Sequence, residues 1–131
     1  MTVLAIDHLS LAIGQQPILH DLSLTLEAGE VFGLVGESGS GKSMTALAVM
    51  GLAPPAAQIS GTVRLGDQTL TSLPERALCA IRGRDVGMIF QEPMTALNPM
   101  QTIGDQVAET LRIHGAMGRD DARTAAAEVL A

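Results

Sequence analysis

The chain has 131 residues, 47% of them apolar, and a formal charge of −6, which is enough material for one domain with a core and too apolar for a disordered segment. The acidic balance, with no cluster of Arg or Lys, excludes nucleic acid as a primary partner, because a phosphate backbone is bound by a basic face. One cysteine, Cys79, rules out an internal disulfide, no secretory signal opens the chain, and no apolar run reaches the ~18 residues of a membrane-spanning helix, so a reducing cytosol is the expected compartment.

In chain order, Leu9, Leu11 and Ile13 alternate with Ser10 and Ala12, and Leu22, Leu24 and Leu26 alternate with Ser23, Thr25 and Glu27. That period of two predicts half-buried strands, paired antiparallel, with turns at 14–17 and 27–30. The short apolar run Val31-Phe32-Gly33-Leu34-Val35 predicts a buried parallel strand, and Met44, Leu47, Ala48 and Gly51 recur at helical spacing behind it. Gly51, Pro54 and Pro55 stop that helix. Val63 and Leu65, bracketed by Gly61 and Gly66-Asp67, form a third alternating piece, and Ser72, Pro74 and Glu75 start a short helix through about Ile81, with Ala77, Leu78 and Ile81 facing inward.

Val86-Gly87-Met88-Ile89-Phe90 predicts a second buried strand, ended by Pro93, which has no N–H for a sheet ladder. Gln91 then sits at a strand's carboxyl end, where open α/β sheets bind ligands. Ile103, Val107 and Leu111 fall on one helical stripe, followed by a break at 115–118 and a last helix from Asp120-Asp121 with an apolar face of Ala125, Ala126, Val129 and Leu130. That helix has no stop signal, which predicts a truncated domain. His8, His20 and His114 are scattered, and each reads as an ordinary surface or core histidine.

Between the first predicted strand and its helix lies Gly36-Glu37-Ser38-Gly39-Ser40-Gly41-Lys42-Ser43, and it contains the chain's only lysine. It fits the phosphate-loop pattern G-x-x-x-x-G-K-[ST] at every fixed position. Glycines at 36, 39 and 41 let backbone N–H groups converge on phosphate oxygens, and the start of the helix adds its positive dipole end. Lys42 is placed to reach the β- and γ-phosphates of a nucleotide, and the Ser43 hydroxyl to coordinate Mg²⁺.

With that loop, the segment Met44-Thr45-Ala46-Leu47-Ala48-Val49-Met50-Gly51-Leu52 and the run Phe90-Gln91-Glu92-Pro93-Met94-Thr95-Ala96-Leu97-Asn98-Pro99, the chain resembles the amino-terminal part of an ABC transporter ATPase. The last run is similar to the Q-loop of importers for oligopeptides, dipeptides, nickel and glutathione. The resemblance covers essentially all 131 residues and implies an α/β fold: a P-loop NTPase (RecA-like) core, an antiparallel β subdomain and the start of a helical subdomain, truncated. It divides the chain into 1–30 and 58–70 (β subdomain), 31–57 and 71–92 (phosphate-loop core), and 93–131 (Q-loop and start of the helical subdomain).

By this resemblance ATP and Mg²⁺ are the cofactors. Phosphate-loop roles fall on Ser38, Gly39, Ser40, Gly41, Lys42 and Ser43 together with Met44 and, at the edge of the set, Thr45; Lys42 and Gln91 are the catalytic residues, and Ser43 and Gln91 the metal-facing ones. In the family the Q-loop glutamine helps position Mg²⁺ and water and senses the membrane subunit. The implied partners are membrane-spanning permease subunits and a second ATPase domain, at the inner face of the cell membrane. Ile13 takes the place, just before Gly14, where the family usually stacks an aromatic on adenine, so weak base binding is expected. The 131 residues contain no signature motif, Walker B aspartate, catalytic glutamate or switch histidine, so the polypeptide alone is expected to bind ATP without turning it over. A non-catalytic nucleotide-binding or interaction module is the alternative; a small phosphate-loop kinase is a third reading, which the 91–99 segment opposes.

Overall fold

Leucine alternation along two adjacent stretches produces a long antiparallel hairpin in the computed structural model, which describes residues 1–131. β1 (Thr2–Ile13) and β2 (Gln16–Glu27) pair through a tight turn at Gly14-Gln15, with Gly14 at φ +60°. The strands run further than the clean alternation suggests, and Pro17 lies inside β2. It is tolerated because β2 is the edge of the sheet. β3 (Ala57–Leu65) joins the other side of β1, and the two-residue β4 (Gln68–Thr69) completes a wholly antiparallel sheet in the order β2-β1-β3-β4.

The β1–β2 register is irregular at several points, and the break at Asp7-His8 sets the core. Ile6, Leu9, Leu11 and Val63 are fully buried, and the spacing of three from Ile6 to Leu9 is absorbed by a bulge between β1 and β2. His8 and Asp21 face each other there, both in the left-handed region at φ +50° and +49°. The His8 N–H donates to Ser23 Oγ and the Asp21 N–H to Ser10 Oγ, each at 2.9 Å, and His8 Nδ1 lies 2.6 Å from Asp21 Oδ1. β3 meets this level with Gly61 at φ +89°, where a Cβ would collide with the His8 carbonyl.

Two compact units divide the chain, Met1–Cys79 and Ala80–Ala131. The first holds the sheet, α1 (Lys42–Val49) and a 3-10 turn at Leu70–Ser72; α2 (Glu75–Ile81) contains the boundary. α1 ends in a Schellman motif: Gly51 at φ +65° donates to Ala48 O (3.1 Å) and Leu52 N to Leu47 O (2.8 Å). α2 starts after Pro74 and buries Leu78 and Ile81, the inward face expected of it.

The two buried parallel strands expected at 31–35 and 86–90 are not formed. Residues 31–37 carry no regular structure, Val31 and Val35 are 98% and 92% exposed, and Ile89 is 96% exposed. A parallel strand has no ladder of its own; its amides are satisfied only by neighbours, and every pairing in this sheet is antiparallel and involves neither segment. Val86 makes one isolated parallel bridge, to Arg82. Pro93 therefore ends no strand and instead opens the single-turn α3 (Pro93–Ala96).

In the second unit, α4 (Ile103–His114) and α5 (Arg119–Leu130) pack as a helical hairpin. Thr102 Oγ1 accepts from Asp105 N (3.1 Å) and donates to Asp105 Oδ2 (2.9 Å), capping α4, and Arg123 of α5 places Nε and Nη2 at 3.0 and 2.9 Å from Asp105 Oδ1. Ala108, Ala122 and Ala126 form the seam, with Val107 and Leu111 against it. Small side chains let the two axes approach closely. Ile103 and Val129, expected on the inward faces, are mostly exposed, because the seam is narrower than the apolar stripes.

Candidate functional site

The phosphate-loop motif forms the turn that leads into α1. Gly39 and Gly41 take φ of +81° and +95°, conformations that side chains resist, and a Cβ on Gly36 would come within 2.5 Å of Ser40 Oγ. Two of the three glycines are thus favoured by backbone angle, and a side chain at the third would have to displace the Ser40 hydroxyl. Ser40 N donates to Glu37 O at 3.1 Å, closing the loop on itself.

Lys42 folds back over this loop. Its Nζ donates to the carbonyls of Gly36 (2.5 Å) and Glu37 (2.7 Å) and lies 3.4 Å from Ser40 Oγ. The ammonium is held at the loop's mouth by neutral acceptors, with no carboxylate paired to it, so its charge remains available to an anion.

α1 starts at Lys42 with Gly41 as its N-cap, no side chain caps it, and its first turn holds no acid. The first amide bonded within the helix is Thr45 N, to Gly41 O at 2.9 Å, which leaves the amides of Lys42, Ser43 and Met44 as free donors at the positive end of the dipole. Uncapped amides beside an uncompensated ammonium form an anion cradle, and the donor set fits a polyphosphate. The Ser43 hydroxyl is exposed beside them, an oxygen of the kind Mg²⁺ takes. Thr45 differs: it is buried and its Oγ1 donates to Gly41 O at 2.9 Å, so its hydroxyl staples the helix to the loop rather than facing a ligand.

A groove of about 210 Å³ runs beside the loop, lined on one side by Gly36, Ser40, Gly41 and Lys42 and on the other by β2, with Ile18, Leu19 and His20 among its residues. The β2 residues went unmarked as site residues because no local motif signals them; sheet pairing brings them there. His20, an ordinary histidine by sequence, is a groove residue. Ile13, the last residue of β1, pairs with Gln16 and Ala57, is half-buried, and does not line this groove. Gln91 belongs to the second unit, exposed in a bend ahead of α3. Beyond α3, Asn98 is clamped by Gln106, whose Oε1 accepts from Asn98 N (2.9 Å) and whose Nε2 donates to Asn98 O (3.0 Å).

No helix is long and apolar enough to cross a membrane, and no three His, Cys, Asp or Glu residues are grouped to hold a metal.

Residues 19–131 match the family model described as ABC transporter. The chain is 47% identical over 116 residues to the oligopeptide transport ATP-binding protein AppD of Bacillus subtilis, covering 87% of this chain and 35% of that protein. It is 45% identical over 109 residues to the oligopeptide transport ATP-binding protein OppD of Salmonella typhimurium, covering 83% and 32%. Over 128 residues it is 44% identical to the uncharacterized ABC transporter ATP-binding protein YejF of Escherichia coli, covering 93% and 24%. It thus spans about a quarter to a third of the length of these relatives. Among solved structures, a bacterial Atm1-family ABC exporter with ATP bound matches in fold with a TM-score of 0.56 at 23% identity, covering 82% of this chain and 18% of that one. A phosphate loop of this geometry and a family match over residues 19–131 lead to one assignment: the chain belongs to the ABC transporter family.

Proposed function

We propose that this chain binds MgATP as the amino-terminal part of an ABC ATPase that couples ATP hydrolysis to import of peptides or similar small solutes. The observation that carries the nucleotide half is the cradle itself: Lys42 held by neutral carbonyls next to the uncapped, acid-free start of α1. The peptide half is supported by the two oligopeptide transport relatives at 45–47% identity.

In this role Lys42 neutralises charge on the β- and γ-phosphates, the free amides of Lys42, Ser43 and Met44 bond their oxygens, and Ser43 offers its hydroxyl to Mg²⁺. Phosphoryl transfer depends on such positioning and charge neutralisation. Gln91 keeps the role implied by the Q-loop resemblance, positioning Mg²⁺ and water, and Ile13 takes the base-facing position without a ring to stack. The proposed partners are membrane-spanning permease subunits and a second ATPase domain, with the ATPase peripheral on the inner face of the membrane. The division at 1–30 with 58–70, 31–57 with 71–92, and 93–131 is proposed with it.

Isothermal titration of the 131-residue polypeptide with MgATP tests the nucleotide half. Saturable binding that Lys42→Ala removes supports it, and equal affinity of the two proteins sinks it. Phosphate release by the polypeptide is expected to stay at the level of the Lys42→Ala protein, since no catalytic base is assigned within these residues.

A further inference from the structure

We infer that Leu19, a β2 residue outside the phosphate-loop motif, is a positioning residue for that loop: it fixes Gly41 from behind and thereby the first amides of α1. Leu19 is 7% exposed and stands opposite Leu11 of β1, in the core of the hairpin. A Cβ on Gly41 would lie 2.6 Å from Leu19 Cδ2 and 3.0 Å from the Ile18 carbonyl, so loop and strand are in direct contact at this one glycine.

Gly41 is also held from the front. Its carbonyl accepts from both the amide and the hydroxyl of Thr45, each at 2.9 Å, and Thr45 is itself buried. The remainder of the loop is different, since residues 36–40 are exposed and a Cβ on Gly39 would meet nothing within 4 Å. Among the loop's glycines only Gly41 meets β2, and it immediately precedes Lys42 and Ser43. A side chain that sets Gly41 sets where the free amides of Lys42, Ser43 and Met44 point, and convergence of those amides is what a bound phosphate requires. The antiparallel hairpin is in this way mechanically part of the anion cradle.

The proposal rests on nucleotide binding by this loop, and its test separates the two. Leu19→Val withdraws the methyl from Gly41. Leu11→Val is the control, an equally small loss in the facing position of the same hairpin, at a residue that does not line the groove beside the loop. Two quantities are measured on each folded protein: the MgATP dissociation constant by titration calorimetry, and hydrogen exchange at the Thr45 amide by NMR without nucleotide.

Leu19→Val is expected to raise both the dissociation constant and the Thr45 exchange rate by about tenfold, the size of effect one lost core methylene produces. Leu19→Met, which restores reach toward Gly41, is expected to return both close to wild type. Leu11→Val is expected to lower the thermal midpoint comparably while moving neither. If Leu19→Val does not fold, Leu19→Ile, which keeps the volume but moves the methyl, is judged by the same readouts. Equal effects of the Leu19 and Leu11 changes, or an unchanged Thr45 exchange rate, overturn the proposal. Failure of the wild-type protein to bind MgATP defeats the nucleotide assignment alone, and Thr45 exchange still decides the role of Leu19.

Discussion

Gly39 and Gly41 show how little chemistry separates a tolerant position from an intolerant one in the same loop. Both lie at positive φ, but a Cβ at Gly39 enters open space, whereas one at Gly41 meets Leu19 and the Ile18 carbonyl. Gly39→Ala should cost only the backbone penalty, about 1 kcal/mol, and Gly41→Ala that penalty plus a steric clash, about 3 kcal/mol in all. Urea unfolding of the two variants checks the difference, and equal losses would contradict the packing described. Base recognition is a second matter of single residues. Ile13 has no ring, so ATP and GTP should compete for the site within about an order of magnitude, ~1.4 kcal/mol; a hundred-fold preference for ATP in a displacement titration would show that another side chain reads the base. At this scale the motif was legible because Gly, Lys and Ser at fixed spacing have a meaning independent of their surroundings. Leu19 and His20 were not, because nothing near them in sequence marks a leucine or histidine of an alternating strand as the neighbour of a loop some twenty residues on.

The elements that could be read from sequence were those whose residue pattern is complete in itself: β1, β2 and β3 from alternation, α1 from its glycine stop, α2 from Pro74, and α4 and α5 from their stripes. The segments at 31–35 and 86–90 were misread because an apolar run reports only a preference for burial, while a parallel strand needs partner backbones that these residues do not have here. The bulge at His8 and Asp21 was also invisible, since it interrupts alternation without a glycine in either strand. It makes a pH-dependent element. The hydrogen bond to Asp21, then the Asp21 charge and, more weakly, that of Asp7, raise the His8 pKa above 6.5, and Arg64 of β3 stands 3.7 Å from Asp7. A raised pKa means that the pair's contribution is fully present below 6.5 and is lost as the pH climbs through the folded-state value. His8→Asn, which keeps a residue tolerant of the left-handed region, should therefore lower the thermal midpoint at pH 6 and converge with wild type well above neutrality. A gap that persists unchanged at high pH would place the effect in packing instead. In the other unit, Thr102→Ala removes the cap of α4 and should cost about 1 kcal/mol by chemical denaturation.

For the molecule as a whole, the apolar segments without a ladder are its most consequential surface. Val31, Val35 and Ile89 are nearly fully exposed, and apolar side chains on backbone outside any sheet or helix are an invitation to association. The purified polypeptide should self-associate in sedimentation velocity at micromolar concentration, and Val31→Lys with Ile89→Lys should shift it toward monomer; a wild-type monomer at all concentrations would contradict this. None of these properties bears on the central claim as directly as the lysine does. If the loop from Gly36 to Ser43 is a nucleotide cradle, calorimetric titration with MgATP should give saturable binding to the wild-type chain and none to Lys42→Ala, with superimposable circular dichroism of the two proteins. Undiminished MgATP affinity in a folded Lys42→Ala protein would contradict the account.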